Sequence, residues 1–162
     1  MKKTQTPATE ALNAAGVEFT VLTYEHEGDA HAFGDESAEK LGRDPHCVFK
    51  TLIAKLTGAR YSHVCAVVPV AGHLDLKALA AHVGAKKAEM ADAKEAQRLT
   101  GYVVGGISPA GQRRQLPLVV DESAALLDVM IVSGGRRGMS LELVPGELVR
   151  ALGGSFAAIG RD

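Results

Sequence analysis

Two apolar runs, VFKTLIAKL from Val48 and YSHVCAVVPV from Tyr61, flank Thr57-Gly58 in the middle of the chain. Both are rich in strand-forming residues, the first is apolar on each face, and a glycine turn between such runs predicts an antiparallel hairpin. A hairpin of this kind belongs at the centre of a sheet, with other layers packed around it. The rest of the chain has to supply those layers. Its 162 residues, 46% hydrophobic and 23% charged, suffice for one core of the size that stabilises a domain without metals or disulfides. A formal charge of −1 excludes a surface basic throughout and leaves only local patches for contact with a nucleic acid. Cys47 and Cys65 share no CxxC spacing and build no disulfide framework. The start MKKTQTPATEAL lacks the apolar stretch of a signal sequence, and no apolar run reaches the ~18 residues of a membrane span. These features predict a soluble, cytoplasmic chain.

Local punctuation predicts the other elements. Thr6 and Pro7 open a helix over 7–15, FTVLTY forms a strand over 19–24, and Asp35 caps a short helix over 36–41 closed by Gly42. Asp75 opens a helix that ends before Gly84, and Asp92 with Glu95 resembles a capping box for a helix ending at Leu99, with a short strand over 86–90 between them. Strands follow over 118–121, 128–133 and 139–144, with a helical turn near Ala124 and a last helix over 145–152. The 18 glycines concentrate after residue 100, where GYVVGGISPAGQRR predicts a shaped loop rather than a regular element. The sum is one α+β domain over 1–162, with a mixed, strongly curved sheet and helices outside it.

Few residues stand out chemically. Lys50 shares a strand face with Leu52 and Ala54, and an ammonium there needs a carboxylate, a carbonyl or a ligand to donate to, or else a strand end from which it reaches water. Ser108 in GGISP and Ser133 in VSGG lie in glycine-bounded turns, which cradle anions or simply relieve steric strain. Neither matches G-x-S-x-G. HEGDAH, from His26, gathers possible metal ligands but lacks the H-E-x-x-H spacing, so no metal is expected. Arg113-Arg114 and Arg136-Arg137 flank the glycine loops, either to meet phosphates or as solvated charge. Seven Tyr and Phe residues and no Trp argue against an extended platform for base stacking.

Tyr24, HAFGDESAEKLG from His31, VFKTL from Val48, GYVVGGISPAGQ from Gly101 and VSGGRRG from Val132 resemble, in order and spacing, the YbaK family of Cys-tRNA(Pro) deacylases, over about residues 6–156. The resemblance implies an α+β fold with a mixed, curved, partly closed β-sheet and flanking helices, like the editing domain of bacterial prolyl-tRNA synthetases. It implies a trans-editing hydrolase that removes cysteine from mischarged tRNA(Pro). The alternatives are a deacylase for alanyl or seryl tRNA, or a module that binds an aminoacyl end without cleaving it. No cofactor is implied, and the expected partners are the tRNA(Pro) acceptor end and prolyl-tRNA synthetase, with no membrane and no DNA.

By the same resemblance, the substrate's own thiol attacks its ester carbonyl, and the protein supplies position and electrostatics. Lys50 matches the lysine on which the family's activity depends and would anchor the substrate end of the tRNA. Thr51 faces the other way along the strand and would act through its backbone or from behind the pocket. Tyr24 and Phe33 would pack against the terminal adenine or the aminoacyl group, with Gly105, Gly106, Ser108, Ser133 and Gly134 adding backbone or hydroxyl contacts. Arg136 and Arg137 would meet phosphates.

Overall fold

The computed structural model describes residues 4–25 and 33–162, with residues 33–35 described by backbone alone. Thr6 opens helix α1 (Pro7–Ala14): its hydroxyl accepts from the Thr9 amide and the Thr9 hydroxyl accepts from the Thr6 amide. This reciprocal pair occupies two donors at a helix start that would otherwise lack partners. Strand β1 (Phe19–Thr23) and helix α2 (Phe33–Leu41) follow. The helix starts ahead of Asp35, which therefore lies in its first turn instead of capping it. Both positions suit a carboxylate, since both face the positive end of the helix dipole, and the sequence could not separate them.

The central hairpin forms as expected, β2 (Phe49–Thr57) running antiparallel to β3 (His63–Pro69) with Lys50 opposite Val68. A two-residue strand β4 (His73–Leu74) precedes α3 (Leu76–Val83), which Asp75 caps and Gly84 ends in left-handed backbone. Strand β5 (Lys87–Met90) pairs with the far half of β2, and Asp92 caps α4 (Ala93–Thr100). After the glycine segment come β6 (Leu118–Asp121), a 3-10 turn (Glu122–Leu126), β7 (Met130–Arg136), β8 (Met139–Leu143) and α5 (Pro145–Leu152). Two short strands that the sequence pattern did not predict, β9 (Ser155–Ala157) and β10 (Gly160–Arg161), end the chain. Elements of two or three residues carry too few alternations to register as periodicity.

The α+β class holds, with the strands divided rather than continuous. A mixed sheet has the order β5-β2-β3-β6-β9, an antiparallel sheet has the order β1-β8-β7, and β4 pairs with β10. Neither large sheet closes on itself. A parallel bridge between Val48 and Ile131 ties them together, the Ile131 amide donating to the Cys47 carbonyl at 3.0 Å. Phe49 and Ile53 on one face of β2 enter a core with Leu12, Leu99, Val120 and Leu141. Ala54 and Leu56 on the other face enter a second core with Leu79 of α3. Burying each large side chain of this kind contributes about 1.5–3 kcal/mol, which fixes β2 between two packed layers. Among the described residues, no helix is long and apolar enough to cross a membrane.

Candidate active site

Past the Val48–Ile131 bridge β2 and β7 part, and the space between them is a cavity of about 520 Å³. One wall is the start of β2, from Phe49 to Leu52, and another carries Val132 and Ser133 of β7. Met90, the start of α4 and the loop at Val104, Gly105 and Ile107 complete the apolar part of the lining.

Strand geometry decides what β2 presents there. The Val48 carbonyl accepts from Val70 and the Leu56 amide donates to Ser62, so alternate residues from Val48 to Leu56 direct their backbone groups to β3. The residues between them point the other way, as Ile53 shows by accepting from the Ala91 amide at 3.0 Å. Strand β5 pairs with β2 from Ala54 onward, and β7 is bridged to it at Val48. Among the described residues no strand pairs with the outer edge between these points, so the N–H and C=O of Thr51 face the gap. A bare edge of this kind explains how Lys50 and Thr51, on opposite faces of the strand, both line one cavity.

Lys50 is half-buried and donates from Nζ to the Gly72 carbonyl at 2.8 Å. Among the described residues no carboxylate pairs with it, which leaves two of the three ammonium donors for a ligand. Gly72 lies against strand β10: a Cβ there would sit 2.7 Å from the Arg161 carbonyl oxygen, and His73 beside it pairs with Arg161. Strand β10, at the end of the chain, thus sets the turn that holds Lys50.

A second polar group lies where β1 meets α2. The Tyr24 amide donates to the Gly138 carbonyl at 2.9 Å, and burial holds its phenol, near Ser37, above its ordinary value. Ser37 in turn lies 3.2 Å from the Ser140 hydroxyl, and both serines are buried in the cavity lining. No sequence signal singled out Ser37 or Ser140; the available one was a serine inside the wholly buried stretch MSL of β8.

The other predicted residues divide. Gly105 lines the cavity with φ +91°, in backbone that favours glycine, and Ser133 lines it with its hydroxyl accepting from the Gly135 amide. Gly106, Ser108 and Gly134 do not line it. A Cβ on Gly106 would come 2.7 Å from the Arg136 Cα, so this glycine lets the loop lie against the β7–β8 turn. Ser108 is fully buried, its hydroxyl accepting from Ala110 and its carbonyl from Gln112. Gly134 sits in the irregularity between Ser133 and Arg136 and accepts from the Thr6 hydroxyl at 2.6 Å. Arg136 and Arg137 are both exposed, and Arg137 donates to the Val104 carbonyl at 2.9 Å and tethers the glycine loop. The Phe33 side chain and the HEGDAH segment lie outside the described residues. Among those described, no group of three His, Cys, Asp or Glu could hold a metal.

No pair of nucleophile and base lines the cavity among the described residues. Ser62, His63 and Glu95 form a hydrogen-bonded chain, Ser62 to Nδ1 at 2.9 Å and Glu95 to Nε2 at 3.0 Å, but none of the three lines it. Cys65 is fully buried, and burial pushes its thiol up to about 12, which removes it as a nucleophile.

The aminoacyl-tRNA editing domain family matches residues 28–151. A protein of Enterococcus faecalis named as a Cys-tRNA(Pro)/Cys-tRNA(Cys) deacylase, EbsC, is 40% identical over 129 residues, 80% of this chain and 77% of that one. The Ser/Thr-tRNA deacylase ProXp-y of Escherichia coli is 33% identical over 111 residues, 68% of this chain and 64% of that protein. Among solved structures, one described as a trans-editing enzyme for prolyl-tRNA synthetase superposes with a TM-score of 0.81 at 21% identity, covering 100% of this chain and 99% of that one, and attests the fold. The chain belongs to the aminoacyl-tRNA editing domain family of the YbaK type. It is an aminoacyl-tRNA deacylase, a hydrolytic editing enzyme.

Proposed function

We propose that the chain is a trans-editing enzyme for Cys-tRNA(Pro), in which Lys50 anchors the substrate end and the cysteinyl thiol is the nucleophile. The observation that carries this reading is the half-buried ammonium in a cavity bordered by an unpaired strand edge, whose described lining holds no hydrogen-bonded pair of nucleophile and base. The sulfur attacks the ester carbonyl carbon, a C–S bond forms, and the C–O bond to the terminal ribose breaks. The thiol proton ends on the ribose oxygen, and water opens the cyclic thioester to free cysteine. The remaining donors of Lys50 and the outward amide of Thr51 both border the cavity, where they support the charge that grows on the carbonyl oxygen or hold the terminal phosphate. Holding sulfur and carbonyl in contact removes much of the entropic barrier. Tyr24, Gly105 and Ser133 bound the space for the aminoacyl group and the terminal adenine, while Arg136 and Arg137 meet the phosphates beyond it. Prolyl-tRNA synthetase, which produces the mischarged tRNA in the cytoplasm, is the natural partner.

A panel of tRNA(Pro) carrying cysteine, serine, alanine or proline tests this. Release of cysteine ahead of the others supports it. Cysteinyl ester left intact with and without prolyl-tRNA synthetase would refute it. The hydroxyls of Tyr24, Ser37 and Ser140, together with the kinship to a Ser/Thr-tRNA deacylase, favour a second reading in which the seryl ester is the faster substrate.

A further inference from the structure

Thr51 holds the one buried side-chain oxygen or nitrogen without a hydrogen-bond partner among the described residues. A buried hydroxyl left unpaired is destabilising, and a valine would fill the same shape without that penalty. The oxygen is covered although the residue itself is part-exposed and lines the cavity. Rotation about χ1 exchanges hydroxyl and methyl on the same Cβ, which brings the oxygen round without moving the strand. The outward backbone groups of Thr51 are on the same edge, so a ligand that docks there meets the hydroxyl once χ1 has turned.

We infer that Thr51 is the specificity-determining residue that reads the β-heteroatom of the aminoacyl group, the hydroxyl of serine or the thiol of cysteine, and pairs its own hydroxyl only in the bound state. This rests on the deacylase reading and refines it. Alanine has no atom to satisfy Thr51, so its ester leaves the hydroxyl unpaired and loses in the comparison. Serine, the stronger hydrogen-bonding partner, depends on Thr51 more than cysteine does.

Thr51→Val and Thr51→Ser test the assignment on one tRNA carrying serine, cysteine or alanine. Thr51→Val is expected to melt at least as high as wild type and to lower kcat/KM about fivefold to tenfold for the seryl ester. It should lose less for the cysteinyl ester, and the alanyl ester, which brings no nucleophile of its own, should stay the slowest of the three. Thr51→Ser restores the order. An equal fall for all three esters, or an unchanged serine-to-alanine ratio in Thr51→Val, overturns the inference. Equilibrium binding of seryl and alanyl 3′-amide analogues of adenosine reads the same preference without turnover. A wild type that cleaves none of the esters defeats the deacylase reading, whereas the inference falls if wild type binds the two analogues alike or Thr51→Val keeps the preference.

Discussion

From Ala54 onward β2 is bonded along both edges, to β3 and to β5, and the lysine in that half, Lys55, lies exposed across from Glu89. Between Val48 and Ile53 the same strand has β3 on one side and the cavity on the other, and its lysine, Lys50, is half-buried on the Gly72 carbonyl. Both halves alternate apolar residues with a lysine, so residue pattern does not separate them. The neighbour does: β5 ends at Met90, and Asp92 turns the chain into α4. Chemistry collects where a strand loses its partner and its backbone groups need another.

The sharpest way to break this comparison is to remove each lysine. Lys50→Ala is expected to lower kcat/KM for the aminoacyl ester by about 10²–10³-fold, as deleting a preorganised electrostatic donor does. Lys55→Ala is expected to change it less than twofold. Thermal melts of both variants should stay within a few degrees of wild type, since a single hydrogen bond from Nζ contributes only about 1 kcal/mol. Equal losses in the two variants, or normal turnover by Lys50→Ala, would show that the bare edge is not where catalysis is organised.

Across the cavity from that edge, Gly105 and Gly106 repeat the contrast between a residue that lines the space and one that holds the wall. A Cβ on Gly106 would meet the Arg136 Cα at 2.7 Å and the Arg137 nitrogen at 2.9 Å, both backbone atoms that cannot swing aside. Gly106→Ala is therefore expected to destabilise by about 2–3 kcal/mol through overpacking. For a chain of this size that is a fall of about 5–10 °C in Tm, measurable by calorimetry. An unchanged melting temperature would mean that the loop is not clamped to the β7–β8 turn.

How much of this was legible beforehand follows the range of the interactions. Helix caps at Thr6, Asp75 and Asp92 are written within three or four residues, and the hairpin is announced by its own two runs. Lys50 was visible as a charge on an apolar face. Its partner was not, because the Gly72 carbonyl is positioned by Arg161 at the other end of the chain. Thr51 was assigned by strand alternation to the side away from Lys50, and alternation is correct; the cavity reaches both because it wraps around an unpaired edge. That edge depends on where a strand distant in sequence stops, which no local pattern encodes. The glycines of the motifs divide for a related reason: a Cβ would crowd neighbouring atoms at Gly106 and Gly134 while Gly105 faces the cavity, and the three look alike as letters.

The junction between the open and closed halves of β2 can be probed through pH. Cys65 faces Ile53 across the hairpin, and burial pushes its thiol up to about 12 from an ordinary 9.0. Below about pH 9 the folded and unfolded chains both keep that proton. Above it the unfolded chain releases the proton and the native one does not, so stability is lost as pH rises from about 9 toward 12. One group of this kind contributes at most about 1.4 kcal/mol per pH unit. Denaturant titrations of wild type and Cys65→Ala at pH 8 and pH 10 isolate it, because the other titrating groups are common to both proteins. The wild type is expected to lose about 1 kcal/mol more than the variant between the two conditions. Equal losses would mean that water reaches the sulfur, and that the dry, doubly covered part of the sheet begins further along β2 than Ile53.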